Sequence, residues 1–137
     1  MPEQQVFLCG VPYRMTNRGP MFCLSSNSNG VRWEFHTTPY DSDDLEQLLR
    51  VFATDLGLEC SFRFPEPIDQ FPTSRHEAPG DIHAYLLRVD VEYSAWRRRD
   101  EFRRRWCLSD EAQSRVRRKP IQRLIDNAVR KLEEWKS

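Results

Sequence analysis

The sequence lacks the features that would place a chain of this size in a membrane, on a secretory route or around zinc. Its 137 residues contain no apolar run near the ~20 residues that span a bilayer, and MPEQQVF is not a basic-then-apolar leader. The cysteines are far apart and form no C-x2-C pair. We therefore expect one cytoplasmic domain over residues 1–137, without membrane contact, and buried reduced thiols. These thiols are Cys9, Cys23, Cys60 and Cys107.

Familiar catalytic motifs are also missing. There is no G-x-S-x-G nucleophile turn and no P-loop, and the three histidines lack metal-ligand spacing. His83 lies in a predicted strand, where a structural role is expected. His36 is kept as a minor candidate for acid–base chemistry.

Lysine is absent from the first 87 residues, and this absence is part of a charge asymmetry. Residues 1–87 carry 6 Arg against 12 Asp and Glu, a balance of −6, whereas residues 88–137 carry 15 basic against 9 acidic residues, a balance of +6. This division suits a site that pairs a cation with a phosphorylated ligand, and it equally suits two halves that attract each other.

Hydrophobic periodicity predicts the order β-β-β-α-β-β-β-α-α. Val6–Val11, Met21–Leu24 and Val31–Phe35 have strand character, and Asn29-Gly30 predicts a turn. Later strands are expected at Glu59–Phe64, Ile82–Val91 and Phe102–Leu108, with a long functional loop over Pro65–Asp81. Ser109 is expected to cap a short helix, and Pro120 to open a final helix with a core stripe.

The central helix has the clearest pattern. Ser42 is a good N-cap, Asp43 and Asp44 suit the first turn, and Gly57 suits the C-terminal stop. Glu46 is spaced to pair with Arg50. The predicted buried stripe is Leu45, Leu48, Leu49, Phe52 and Leu56.

The end of this helix, Arg50–Leu58, resembles the second half of the Nudix signature, G-x5-E-x7-R-E-U-x-E-E-x-G-U, where U is a bulky aliphatic residue. The arginine, the apolar positions and the glycine match. Three further segments are similar to Nudix sequences in the same order, and the last of them resembles the diphosphoinositol polyphosphate hydrolase branch. These segments are Trp33–Phe35, Arg104–Ala112 and Arg117–Gln122.

The resemblance implies an α/β/α sandwich with a mixed sheet and descent from Mg²⁺- or Mn²⁺-dependent diphosphate hydrolases. It also shows what has changed, because Val51, Thr54 and Asp55 occupy the three metal-binding glutamate positions. Valine cannot bind magnesium, which prefers several carboxylate oxygens in octahedral geometry. In addition, His36–Pro39 replaces the expected glycine-rich loop.

On this resemblance, Arg50 and Asp55 are the candidate catalytic residues, and Asp55 with Asp44 the candidate metal ligands. Glu77 and Asp81 are weaker sources of a displaced carboxylate. Arginine clusters suit bidentate capture of phosphate. The candidate ligand-binding residues are Arg32, Trp33, Arg104 and Lys119.

Three functions remain open. The first is a Nudix-like protein that binds a phosphorylated small molecule or a protein partner, with hydrolysis weak or lost. The second is an active diphosphate hydrolase with displaced ligands. The third is a nucleic-acid accessory module that uses the arginine-rich second half, in which Trp96, Phe102 and Trp106 could stack bases.

Overall fold

The computed structural model describes residues 5–27, 32–41, 44–74 and 78–134. Its strands are β1 Gln5–Thr16, β2 Gly19–Asn27, β3 Thr37–Pro39, β4 Leu58–Phe62, β5 Asp69–Pro72, β6 Gly80–Glu92 and β7 Phe102–Leu108. Its helices are α1 Gln47–Leu56, α2 Ser109–Arg115 and α3 Lys119–Glu134. No helix in these ranges is long and apolar enough to cross a bilayer.

The strands form one mixed sheet in the order β4-β6-β1-β2-β7, with β3 added to β1 and β5 added to β6. β1 and β6 are parallel, and the other pairs are antiparallel. This arrangement confirms the predicted mixed α/β class. It also leaves β7 at one end of the sheet, directly before α2.

The two faces of the sheet bury separate apolar clusters, because side chains alternate along a strand. On β1, Leu8 packs toward α1, whereas Cys9 and Val11 pack toward the opposite side. On β6, Leu87 belongs to the α1 cluster and Leu86 to the other. The second cluster is closed by α2 and α3. The result is the predicted sandwich of helices on both faces of a sheet.

Helix α1 is shorter than predicted. It begins at Gln47, and Glu46 occupies the N-cap with helical backbone angles and no side-chain cap. Asp44 therefore precedes the helix and does not lie in its first turn, while Ser42 and Asp43 lie outside the described residues. The turn at residues 44–46 is held by the Gln47 N–H, which donates to the Asp44 carbonyl at 3.1 Å.

The predicted pairing of Arg50 with Glu46 is wrong, since Arg50 instead contacts Asp44 at 2.8 Å. The predicted buried face is correct for Leu48, Phe52 and Leu56, which are fully buried. Gly57 ends the helix in the left-handed region at φ 65°, as its position predicted.

Two strand assignments need correction. Trp33–Phe35 is not a strand of the sheet, because its pairing is a single bridge between Glu34 and Ser25, and Val31 lies outside the described residues. The third strand is β3, which pairs with β1. The expected Pro65–Asp81 loop contains β5, which gains its strand geometry by pairing with β6, the next strand in the sequence. The Asn29-Gly30 turn lies outside the described residues.

The predictions for the C-terminal elements agree better with the structure. β7 has the predicted bounds, and α2 begins at Ser109, although the N-cap position belongs to Leu108. Four of the predicted core positions of α3 are fully or nearly fully buried: Ile121, Leu124, Ile125 and Ala128. All four cysteines are buried free thiols, as expected.

Candidate functional site

A cavity of 460 Å³ lies beside the exposed face of α1. The helix contributes Arg50, Val51, Thr54 and Asp55, and the segment before it contributes residues 36–39. Arg98 and Phe102, which flank the start of β7, close the remaining side. We call this space the α1 cavity. Its walls include Val51, Thr54 and Asp55, the three positions at which the Nudix signature has glutamate.

Asp55 is the only acidic side chain in the described lining of the α1 cavity, and each of its oxygens accepts a hydrogen bond. His36 Nε2 lies 2.8 Å from Asp55 Oδ2, and Arg98 Nη1 donates to Asp55 Oδ1 at 3.1 Å. Asp55 is only 7% exposed. A buried carboxylate is tolerated where hydrogen-bond partners satisfy its oxygens. The contacts with His36 and Arg98 therefore explain why Asp55 can be buried at the end of α1.

His36 is oriented by rings as well as by Asp55. Its imidazole meets Phe52 and Phe102 edge-on, with centroids 5.7 and 4.8 Å apart. Burial lowers the pKa of His36 below its ordinary value, and this effect outweighs the opposing influence of Asp55. The neutral ring therefore donates Nε2–H to Asp55, which leaves Nδ1 as an acceptor.

Arg98 joins the helix to the loop before β7. Its backbone N–H donates to the Thr54 carbonyl at 3.2 Å, and its guanidinium also contacts Glu101 at 2.5 Å. It lies over the ring of Phe102 at 4.7 Å. The hydrogen bond that Arg98 donates to Glu101 is the largest cause of the raised pKa of Arg98. Arg98 is thus a fixed cation at the cavity wall.

The candidate metal ligands Asp44 and Asp55 do not meet in the α1 cavity. Asp44 is exposed, does not line the cavity, and contacts Arg50 at 2.8 Å. The Arg50 hydrogen bond lowers the pKa of Asp44. Asp81 lies in β6, paired with Pro72 and Val6, and Glu77 is outside the described residues. Among the described residues, no group of three or more His, Cys, Asp or Glu could hold a metal ion.

A second cleft of 280 Å³ adjoins the α1 cavity, because both are lined by His36, Thr37 and Phe102. We call it the serine cleft, since Ser25 and Ser26 at the end of β2 form its floor. Ser26 Oγ is buried and has no hydrogen-bond partner among the described residues. A polar ligand that entered this cleft would therefore meet a hydroxyl whose hydrogen bonds are not already made.

The candidate ligand-binding residues are dispersed. Arg104 points toward the end of α1, where it donates to the carbonyls of Leu56 at 2.5 Å and Gly57 at 3.3 Å. It also lies over the Trp96 ring at 4.1 Å, so its role here is structural. Arg32 lines the serine cleft and, with Trp33, a further cleft near α2. Lys119 is exposed at the start of α3 and lines neither of these clefts.

Sequence reasoning missed the central contact of the site. His36, Asp55 and Arg98 are separated by 19 and 43 positions, and no local periodicity links them. The one usable signal was His36 standing where a glycine-rich loop was expected. Arg98 lies in a run, Arg97–Arg99, that has the composition of a solvated loop.

Comparison with known proteins identifies the fold of this chain. No family model matches the chain, and no curated protein matches it in sequence. Solved structures do match, with sequence identities between 9% and 16% in three examples. An Ap4A hydrolase of Caenorhabditis elegans, solved as a binary complex, gives a TM-score of 0.77 at 12% identity and covers 96% of this chain and 99% of its own.

Two further structures agree. The NUDIX domain of Shewanella oneidensis NrtR, complexed with ADP ribose, gives a TM-score of 0.68 at 16% identity, covering 96% of this chain and 90% of that one. The Escherichia coli dihydroneopterin triphosphate pyrophosphohydrolase gives 0.68 at 9% identity, with 95% and 99% covered. The mixed sheet between helices thus belongs to a known architecture. This chain has the Nudix fold, which confirms the resemblance at the level of structure.

Proposed function

We propose that this protein binds a phosphorylated small molecule in the α1 cavity and serine cleft, and that metal-dependent hydrolysis is weak or lost. The observation that carries the proposal is the environment of Asp55. Among the three positions that match metal-binding glutamates of the Nudix signature, only Asp55 has a carboxylate. Its two oxygens are hydrogen-bonded to His36 and Arg98.

This donor set does not fit a magnesium site. Magnesium takes six oxygen ligands in near-octahedral geometry and is usually held by one or two carboxylates together with substrate oxygens and waters. Val51 has no ligand atom and Thr54 has a single neutral hydroxyl. A cation at Asp55 would also have to displace Arg98, whose positive charge already occupies that position.

The loss of two carboxylates at Val51 and Thr54 favours an anionic ligand that is bound without metal. Arg50 and Arg98 line the α1 cavity, and arginine binds phosphate through paired N–H groups. Thr37 and Thr54 add hydroxyl donors, and Ser26 offers one in the adjoining cleft. The structural neighbours include an Ap4A hydrolase and a NUDIX domain complexed with ADP ribose, which supports this class of ligand.

Binding is tested by titrating the protein with ADP-ribose, a dinucleoside polyphosphate and an inositol polyphosphate in the presence of EDTA. We expect at least one to bind without divalent metal, and Arg50→Ala to weaken that binding about tenfold, which is ~1.4 kcal/mol. Arg88→Ala is the matched control, since both arginines are 61% exposed and each pairs with one aspartate. Equal affinity for both variants, or binding only with metal, would contradict the proposal.

Catalysis is tested separately with the same compounds and Mg²⁺ or Mn²⁺. We expect no turnover by the natural chain and detectable turnover after Val51→Glu with Thr54→Glu, which restores carboxylates one helical turn apart. The alternative is an active hydrolase with displaced ligands. Turnover by the natural chain that disappears in a folded Asp55→Asn variant would establish that alternative.

A further inference from the structure

An arginine-lined surface runs along the β7 end of the sheet, beside the α1 cavity, with which it shares Phe102. One open groove of 430 Å³ lies over the start of β7 and is lined by Trp33, Arg99, Arg103 and Arg105 among others. A second cleft of 170 Å³ lies beside α2 and α3, and Trp33 lines it too. The shared tryptophan joins the two into a single track, which we call the Trp33 track.

The register of β7 explains why cations collect there. Arg103 pairs with Ser26 and Arg105 with Leu24, so both side chains project from the same face of the strand. Arg104, between them, projects to the other face and fixes the end of α1. Both Arg103 and Arg105 are exposed.

The charges of the Trp33 track are only partly compensated, because Arg104 pairs with Glu92, Arg105 and Arg115 pair with Glu111, and Arg118 pairs with Glu34. Within the described residues, Arg99, Arg103 and Arg117 form no ion pair. Eight arginines line the two clefts, and Glu34 is the sole acidic residue in their described lining. Glu34 already lies 3.9 Å from Arg118. The α1 cavity differs, because its cations are paired with Asp44, Asp55 and Glu101.

We propose that the Trp33 track binds single-stranded nucleic acid. Unpaired arginines spread along an open groove match a repeating phosphate backbone better than a compact anion. Trp33 is half-buried at the junction of the clefts, where its ring could stack one base, and such stacking tolerates any sequence. The inference does not depend on the ligand of the α1 cavity, since Trp33, Arg103 and Arg117 do not line that cavity.

The test is fluorescence anisotropy with labelled 12-nucleotide oligo-dT and oligo-rU at several KCl concentrations from 50 mM upward. We expect binding at low salt that weakens steeply, with a log–log slope of about −2 for three phosphate contacts. Arg103→Glu should weaken binding about tenfold and make the slope shallower by about 0.7. Arg18→Glu is the matched control, an exposed turn residue with no ion pair in the described structure and an equal change of net charge.

Stacking is tested at Trp33. Trp33→Phe should retain most of the affinity, whereas Trp33→Leu, which keeps an apolar side chain for packing, should lose about tenfold. Thermal melts confirm that each variant is folded. Arg50→Ala should bind the oligonucleotides normally, which separates this proposal from that for the α1 cavity.

Several results would overturn the proposal. These are no binding at 50 mM KCl, a flat salt dependence, and an equal effect of Arg18→Glu and Arg103→Glu. Inorganic polyphosphate serves as a competitor without bases. If it binds as tightly as the oligonucleotides while Trp33→Leu changes nothing, the surface recognises polyanions in general and not nucleic acid.

Discussion

At the scale of single residues, Asp55 has the position of a metal ligand and the contacts of a structural acid. An isolated carboxylate this deeply buried would be costly, and His36 and Arg98 remove most of that cost by hydrogen bonding to both oxygens. Such a network stabilises the junction of α1 with the loops around it. Recruiting Asp55 to a cation would require breaking this network.

Removing Asp55 should therefore destabilise the fold. We expect Asp55→Ala to lower the free energy of unfolding by about 3 kcal/mol, because His36 loses its acceptor and Arg98 loses one of two carboxylates. Urea denaturation provides the measurement. Asp44→Ala removes an exposed ion pair and the hydrogen bond that Asp44 Oδ1 accepts from the Glu46 N–H, and it serves as the control, with a much smaller loss expected. Similar midpoints for both variants would contradict a structural role for Asp55.

The lowered pKa of His36 predicts how stability depends on pH. The unfolded chain binds the His36 proton near pH 6.5, whereas the folded chain binds it only at lower pH. Stability is thus complete above pH 6.5, falls as pH drops toward the folded-state pKa, and then levels off. The slope from this residue cannot exceed about 1.4 kcal/mol per pH unit.

The His36 effect is isolated with His36→Gln, which keeps an N–H donor for Asp55 but does not titrate. Urea denaturation at pH 7.5 and pH 5.5 should show a larger loss of stability for the natural chain than for the variant. His83 remains in both proteins and cancels in the comparison. An equal loss would mean that folding leaves the pKa of His36 unchanged.

At the scale of helices and strands, the sequence predicted the elements whose burial is periodic. The stripe of α3 and the buried face of α1 follow a 3.6-residue repeat, which one segment displays by itself. β3 and β5 were not predicted, because strands of three and four residues owe their geometry to pairing with another strand, which is the distant β1 for β3 and the following β6 for β5. The start of α1 was misplaced because the side chain of Asp44 accepts the Glu46 N–H in a turn that precedes the helix and does not lie in the first helical turn.

The end of α1 depends on Gly57 for two reasons. Its φ of 65° is unfavourable for other residues, and an added Cβ would lie 2.8 Å from the Trp96 side chain and 2.9 Å from Arg104 Nη1. We expect Gly57→Ala to cost about 2–3 kcal/mol, combining the backbone term with the overlap. Chemical denaturation measures the loss.

Gly19 offers a matched control for the backbone term. It also has a positive φ, 107°, but nothing lies within 4 Å of an added Cβ. Gly19→Ala should therefore cost only about 1 kcal/mol. If the two variants lost equal stability, the packing of Trp96 and Arg104 against the end of α1 would contribute nothing.

At the scale of the whole molecule, the sheet separates two cores and places the candidate sites at its margins. The α1 cavity lies between α1 and the loops before β3 and β7, whereas the Trp33 track follows β7 toward α2 and α3. The net charges of the two parts of the sequence showed that basic residues are concentrated in residues 88–137. It could not show which arginines are paired, because the partners of Arg98 and Arg104 are fixed by tertiary contacts alone.

Both cores belong to one sheet, so we expect them to unfold together. Phe52 and Leu124 are fully buried in different clusters, on opposite faces. Phe52→Ala and Leu124→Ala should each lower the free energy of unfolding by about 3–4 kcal/mol, from lost burial and the cavity left behind. Val91→Ala, at a residue 41% exposed, is the control and should change little.

Tryptophan fluorescence and far-ultraviolet circular dichroism distinguish joint from separate unfolding of the two cores. For either variant, the two signals should follow the same urea transition, because loss of one core exposes the sheet that the other core needs. Separate transitions in Leu124→Ala would mean that α3 detaches while α1 and the sheet persist. In that case the Trp33 track, which α3 partly lines, would be lost before the α1 cavity, and binding measured at the two sites would fail at different urea concentrations.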